Sequence, residues 1–255
     1  MSVSRKDFYA KGYATGIDVL NQKEVADVRR DFQKFEQEIG KENAQYSLHN
    51  VHTQHPWVLK LATHTNVLGA LKPILGDDIV LLDSRFICKY PCQEMDDGEK
   101  YVAWHQDVRY WGIEGDVISV WLAIDDADVE NGCMVVIPGS HTNGILNHQS
   151  AKTDGNMLTS NQEIPSHLFD TSKSVPCPLK AGQMSLHHGH LVHGSEANNS
   201  SRRRCGFVIR YVSTSAKPII DPDRPRKFES TVLVNGKNNQ KNFSDNSPSW
   251  FTWRH

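Results

Sequence analysis

The chain has 255 residues, enough for one sizeable core without disulfide staples, and its 28 Lys and Arg nearly balance its 30 Asp and Glu, for a net charge of −2. That balance offers no basic face for nucleic acid and no polybasic stretch for an anionic membrane. The apolar runs, such as residues 79–82 and 134–137, are strand-sized and exclude a transmembrane helix.

Residues 1–10 are charged and carry no apolar stretch of the kind a secretory signal needs. The five cysteines, at 88, 92, 133, 177 and 205, are odd in number and include no C-x-x-C pair. The expectation is reduced thiols in a cytoplasmic protein.

Residues 1–18 read as a short leading strand or loop anchored by Phe8, Tyr9 and Tyr13. Asn21 caps a predicted helix over 22–39, with Glu24 in its first turn and Gly40 at its end. Val25, Val28, Phe32, Phe35 and Ile39 give that helix one apolar face. Residues 43–55 are polar, and His49, His52, His55 and His64 read as surface groups. Two further helices are predicted over 56–62 and 66–75, the second ended by Gly76.

From residue 79 the pattern turns to strands. Residues 79–90 alternate Arg85, Ile87 and Lys89 against Phe86, Cys88 and Tyr90. A polar loop over 91–100 leads to a strand over 101–107. A long apolar strand covers 117–124, an acidic turn 125–132, and another strand 133–137, closed by Pro138-Gly139-Ser140-His141. Residues 142–175 are rich in Asn, Ser, Thr and Asp and read as an insertion over a site, since loops this long in a compact domain are usually lids. Strands follow over 184–192 and 204–213, with one more candidate at 230–235. Helices first, then about eight short strands, predict an α+β, mainly β protein built on an antiparallel barrel or sandwich.

The stretch Trp104-His105-Gln106-Asp107 carries the chemistry. Residues i and i+2 of a strand share a face, so His105 and Asp107 can converge on one point. An H-x-D pair alone is common on surfaces. Turned into a barrel, however, its carboxylate costs several kcal/mol, on the order of 2–7 for a buried polar group, unless paired or metal-bound. His193, at a strand end before Gly194 and Ser195, supplies a third ligand, with Gly194 letting the backbone pass close to a ligand. Two histidines and one carboxylate with open positions is the non-haem Fe(II) arrangement. Of the basic run 202–204, Arg202 and Arg203 read as a solvated turn. Arg204 opens a strand and can face inward, where a guanidinium needs an anion.

Three segments, YVAWHQDVRYWG from Tyr101, SVWLAIDDADVENGCMVVIPGSH from Ser119 and LKAGQMSLHHGHLVHGSEANNSSRRRCGFVIRY from Leu179, resemble the phytanoyl-CoA dioxygenase superfamily of Fe(II)/2-oxoglutarate oxygenases. The resemblance covers roughly residues 60–213, with three motifs in order. It implies a double-stranded β-helix (a cupin-like jelly roll) flanked by N-terminal helices. It also implies a single dioxygenase domain over 1–255: a mainly helical part over 1–78, a jelly-roll core over 79–213 with a lid over 142–175, and a C-terminal extension over 214–255. Carried over by position, His105, Asp107 and His193 match the iron ligands. Arg204, eleven residues after His193, matches the arginine that holds the distal carboxylate of 2-oxoglutarate, and Ser195 the hydroxyl that assists it. Trp111 and Trp121 match aromatics lining the co-substrate pocket. Arg210 looks like a second inward arginine shared with amino-acid halogenases. Those enzymes carry alanine in place of the aspartate, so Asp107 implies hydroxylation with O2, releasing succinate and CO2, and not chlorination.

For substrate, the weak net charge and polar 142–175 segment disfavour a long acyl-CoA. The motif version resembles bacterial members acting on small polar metabolites, and Arg85, Lys89, Arg109, Tyr110, Arg210, Asn50 and His52 are the candidate contacts for an anionic or zwitterionic molecule. The leading expectation is 2-aminoethylphosphonate, hydroxylated next to phosphorus. An amino acid, an ectoine-like solute or an acyl-CoA is an alternative substrate, and a non-catalytic metal-binding jelly roll is the alternative class.

Overall fold

A computed structural model describes residues 3–46, 48–94, 99–219 and 227–252. Part of the expected 91–100 loop and part of the polar tail lie outside the described residues.

The N-terminal part is helical, with two helices the sequence reading missed. Helix α1 spans Arg5–Lys11; Ser4 caps it by accepting from the Asp7 amide, and Gly12 closes it at φ 82°. Strand β1 follows at Tyr13–Asp18. Helix α2 runs Gln22–Ile39 with a reciprocal capping box between Asn21 and Glu24. Helix α3, Lys41–Tyr46, runs into the stretch over 43–55 that was read only as polar. Helices α4 (Pro56–Ala62) and α5 (Thr65–Leu75) complete the layer.

The rest is β: β2 (Ile79–Lys89), β3 (Val102–His105), β4 (Ile113–Glu114), β5 (Val117–Ala123), β6 (Met134–Val136), β7 (Gln149–Ser150), β8 (Gln162–Glu163), β9 (Val175–Cys177), β10 (Gln183–His188), β11 (His193–Ser195), β12 (Arg204–Ser213), β13 (Lys217–Pro218) and β14 (Val232–Asn235). A six-stranded antiparallel sheet has the order β1-β10-β5-β12-β2-β14, and a four-stranded sheet the order β3-β11-β6-β9. The fold is the double-stranded β-helix, mainly β, with its helices at the N-terminal side.

Side-chain alternation assigns the two faces of the six-stranded sheet. Phe86, Cys88, Val120, Leu122, Leu186, Phe207 and Ile209 point outward into one apolar core with Phe32, Phe35, Leu59 and Leu71 of the helices. Phe86 stacks on Phe207 at 4.6 Å between ring centroids. The opposite face carries Arg85, Lys89, Ser119, Trp121, His187, Arg204 and Arg210, all of them buried. Both faces are covered, so these strands read as near-continuous buried runs.

Two strand expectations need correction. The run 184–192 is not one strand. It breaks after His188, because the Gly189 amide turns to donate to the Val117 carbonyl, and a Cβ there would sit 2.6 Å from Val108. The chain crosses between sheets at this point, so His187 and His193 come from different sheets. Likewise β3 ends at His105, and Asp107 opens a 3-10 turn over Asp107–Tyr110.

Candidate functional site

His105 and His193 sit opposite one another on neighbouring strands β3 and β11, with ring centroids 4.1 Å apart. Asp107 reaches the same point from its turn, its Oδ1 3.6 Å from His105 Nε2. Gln106 between them points the other way and is fully buried. Its amide donates to the carbonyls of Gly144 and His190 and accepts from the Leu146 amide, which pins the start of the 142–175 insertion. Alternation across 105–107 thus divides the labour, with a ligand face and a structural face.

One donor atom from each of His105, Asp107 and His193 lies within 4.8 Å of the others, the one such cluster found among the described residues. Their hydrogen bonds fit a metal. His105 Nδ1 bonds the Ala103 carbonyl at 2.8 Å and His193 Nδ1 the Leu191 carbonyl at 2.9 Å. A carbonyl only accepts, so each Nδ1 carries the proton and each Nε2 presents a lone pair. Burial, reinforced by His105 and His187, holds His193 well below the usual imidazole range, and so in the neutral form that ligates. Burial pushes the Asp107 carboxyl up, but Arg210, His105 and His187 outweigh it and hold the group well below the carboxylate range. Arg210 bonds Asp107 at 3.0 and 3.4 Å and Asp83 at 3.3 Å, while Ser119 donates to Asp107 Oδ2. Two nitrogens and one carboxylate oxygen suit a divalent first-row ion such as iron.

The cavity beside the triad is lined by Ile87, Val102, Trp121, Met134, Ser195 and Arg204, among others. Arg204 is buried. Its Nε and one terminal nitrogen donate to the Gly132 carbonyl, and the latter also reaches Ser195 Oγ at 3.2 Å. The remaining nitrogen, Nη1, is buried with no partner. Trp121 lies under the guanidinium, 5.0 Å from ring centroid to Cζ. Gly206 makes room for that indole, since a Cβ there would be 2.1 Å from it.

Several sequence-predicted contacts lie elsewhere. Lys89 is fully buried behind this cavity and not in contact with it. Its Nζ donates to Ser195 Oγ at 2.6 Å, to the Ser195 carbonyl and to the Glu196 carbonyl. All three donors are used, so Lys89 fixes the Ser195 hydroxyl instead of meeting substrate. His52 bonds Ser84 Oγ and the Ser230 carbonyl and is a buried structural group. Asn50 adopts φ 55° and accepts from the Ser84 amide, holding a turn. Arg109 lines neither this cavity nor the outer chamber described next. Trp111 lines the outer chamber and not the Arg204 cavity, because the 3-10 turn carries it past the triad to stack on Phe228. Gly194 lines the triad cavity and also passes close to the backbone of β3, where an added Cβ would sit 2.9 Å from the Val102 oxygen.

His49 is exposed, as expected, and it also lines the outer chamber beside Arg85, where partial desolvation and the nearby Arg85 push it down to about 4. Other expectations change with burial. Arg203 is not solvated; it pairs with Asp125 and Glu36 and ties α2 to the sheet. His187, not singled out from the sequence, is fully buried in the site, 3.4 Å from Asp107 Oδ2 and 4.4 Å ring to ring from His193. Asp83 and Ser119, the partners of Arg210 and Asp107, had no motif to mark them. Tyr110 and Arg210 line the outer chamber together with Asp107.

The sequence profile of the phytanoyl-CoA dioxygenase (PhyH) family matches residues 8–206. "Phytanoyl-CoA dioxygenase domain-containing protein 1" of Bos taurus is 35% identical over 178 residues, 69% of this chain and 59% of that protein. The chain therefore spans about six-tenths of the length of the curated relatives it matches at this level. "Probable alpha-ketoglutarate-dependent hypophosphite dioxygenase" of Stutzerimonas stutzeri is 23% identical over 251 residues, 91% of this chain and 85% of that protein. Among solved structures, "non-heme monooxygenase; ThoJ apo" superposes with a TM-score of 0.77 at 24% identity, covering 96% of this chain and 88% of that one. That likeness concerns the fold.

Proposed function

The chain belongs to the phytanoyl-CoA dioxygenase family, and from that membership and the geometry of its site we propose that it is an Fe(II)- and 2-oxoglutarate-dependent dioxygenase that hydroxylates a small polar metabolite. The observation that carries the reading is the convergence of His105, Asp107 and His193 beside a buried arginine with an unpaired nitrogen.

In this reading His105, Asp107 and His193 hold the iron, and Arg204 and Ser195 take the distal carboxylate of 2-oxoglutarate. Iron with 2-oxoglutarate and O2 supplies the oxidising power for C–H hydroxylation, with release of succinate and CO2. The chain's own work is placement. Arg210 and Ser119 fix the Asp107 carboxylate, and backbone carbonyls fix both imidazoles. Lys89 orients the Ser195 hydroxyl, with Arg204 aimed into the cavity. Ile87, Val102, Met134 and Val208 form an apolar wall that excludes water. Asp107 supports hydroxylation over halogenation, since its carboxylate fills the place a halide would need.

The leading substrate is 2-aminoethylphosphonate, hydroxylated next to phosphorus; an amino acid or ectoine-like solute is the second reading. The similarity to a protein named for hypophosphite supports a small phosphorus oxyanion, and a buried arginine beside the triad, Arg85, with an unpartnered Nε supports an anionic head. The reading also places the whole chain in one domain, in a cytoplasmic setting. Succinate release measured across small phosphonates, amino acids, betaines and acyl-CoA esters tests it. Stimulation by a small phosphonate is expected; stimulation by acyl-CoA alone contradicts the small-metabolite reading.

A further inference from the structure

Next to the triad lies a second chamber of about 250 Å³, walled by Asp83, Arg85, Tyr110, Trp111 and Arg210 and floored by Asp107. Its charges are unequally matched. Arg210 is committed: it bridges Asp107 and Asp83, the two carboxylates of the chamber. Arg85 is not. It is buried, at 8% exposure, and Nε has no partner. Among the described residues it makes no ion pair within 4 Å. Its guanidinium carbon instead lies over the Tyr46 ring, 4.2 Å from the centroid. A stacked, buried guanidinium with free N–H is costly until an anion meets it.

A second donor stands on the same wall. The Tyr110 hydroxyl is buried without a partner, and burial, with Asp107 nearby, pushes it up to about 12, so it remains a neutral donor. The mouth is drawn together by one residue: Tyr46, which carries Arg85 on its ring, also shares a hydrogen bond with Thr159 of the 142–175 insertion. The volume falls below the roughly 300–1,000 Å³ that drug-sized ligands occupy, so a nucleotide-linked chain does not fit.

We propose that Arg85 and Tyr110 form an oxyanion receptor that holds the compact anionic head of the substrate, a phosphonate, phosphinate or carboxylate, against the Asp107 side of the triad. Calling the ligand the substrate rests on the oxygenase reading; the receptor itself does not. Arg85 also borders the Arg204 cavity, so anchoring of 2-oxoglutarate by Arg85 is the rival outcome that the test must separate.

Calorimetric titration of the full chain with methylphosphonate, acetate and neutral acetamide, each with and without 2-oxoglutarate, makes that separation. An oxyanion is expected to bind without competition from 2-oxoglutarate, and acetamide not to bind. Arg85→Met should weaken the oxyanion at least about tenfold and Tyr110→Phe about threefold, as loss of one charged and one neutral hydrogen bond implies. Neither should move 2-oxoglutarate affinity more than about twofold, within the spread of remote substitutions. The tighter of methylphosphonate and acetate identifies a tetrahedral or planar head. The proposal is overturned if neither probe binds, if 2-oxoglutarate displaces the probe, or if Arg85→Met loses 2-oxoglutarate and keeps the oxyanion. Should Arg85→Met misfold, Tyr110→Phe and the competition experiment still decide. Oxyanion binding without any 2-oxoglutarate binding would sink the oxygenase reading and leave the receptor standing.

Discussion

Asp107 is asked to be buried, ionised and free to ligate at once. Arg210 and Ser119 make that combination possible by occupying the carboxylate's outer lone pairs. Removing Arg210 would leave Asp107 and Asp83 as unpaired buried carboxylates. Arg210→Leu should therefore destabilise the metal-free chain by about 3–5 kcal/mol, the cost of breaking a buried pair, as read by urea unfolding; a change within experimental error would mean that the pair is already neutralised by protons. Asp107→Ala should abolish hydroxylation, and turnover retained in that variant would contradict the role assigned to the carboxylate. For Arg204→Met, the dissociation constant for 2-oxoglutarate should rise about 10–100-fold with loss of a charged hydrogen bond, while metal affinity stays within about threefold.

At this scale the sequence was readable where spacing alone places a side chain. His105 and Asp107 are two residues apart, close enough to converge although Asp107 opens a 3-10 turn, and His193 and Arg204 each begin a strand. Lys89 was misread because its fate is set across the sheet: it pairs in register with Arg204 and lies behind Ser195. No local pattern reports that pairing. His52 and Asn50 failed for a related reason, since a polar stretch between helices gives no sign that the β2 backbone and Ser84 will claim its side chains.

Among elements, α1 is held to the barrel by Asp116, which accepts from the Tyr9 hydroxyl and from His188. The His188 hydrogen bond, with Tyr9 adding to it against burial, draws the Asp116 carboxyl down to about 2. Its folded value lies below the ordinary unfolded value of about 3.9. The unfolded chain therefore binds the proton first as pH falls, so the contribution is full above about pH 4 and lost as pH drops towards 2. Wild type should exceed Asp116→Asn in stability by a constant margin near neutrality, and that margin should shrink between pH 4 and 2. A margin unchanged down to pH 2 would refute the assignment. Strand β12 carries a different constraint at Gly206. Gly206→Ala should push Trp121 into the Arg204 cavity and weaken 2-oxoglutarate at least about tenfold, as overpacking of a fitted site implies, with the metal still bound; unchanged affinity would show that the indole has room to move.

The helix α2 and the main strands were legible because periodicity and capping residues agree there. Helix α1 was missed although Ser4, Asp7 and Gly12 are proper end signals, because seven residues carry too little periodicity to outweigh a β-rich neighbour. The break at Gly189 was missed because an apolar and histidine run looks continuous until the crossing between sheets is known.

For the molecule as a whole, the apolar layer between helices and six-stranded sheet is independent of the metal-binding end. We propose that the chain unfolds as one unit and folds without metal. Chelation should leave the far-ultraviolet spectrum intact, and added Fe(II) with 2-oxoglutarate should raise the melting midpoint by mass action on the native state alone. Among the described residues no helix is long and apolar enough to cross a membrane.

The central claim is that the His105, Asp107 and His193 cluster and the Arg204 cavity together hold iron and 2-oxoglutarate. Anaerobic addition of Fe(II) and 2-oxoglutarate to the chain, followed by visible absorption, tests it most directly. A weak charge-transfer band that saturates with 2-oxoglutarate is the predicted result. Its absence at saturating Fe(II) and 2-oxoglutarate would contradict the account.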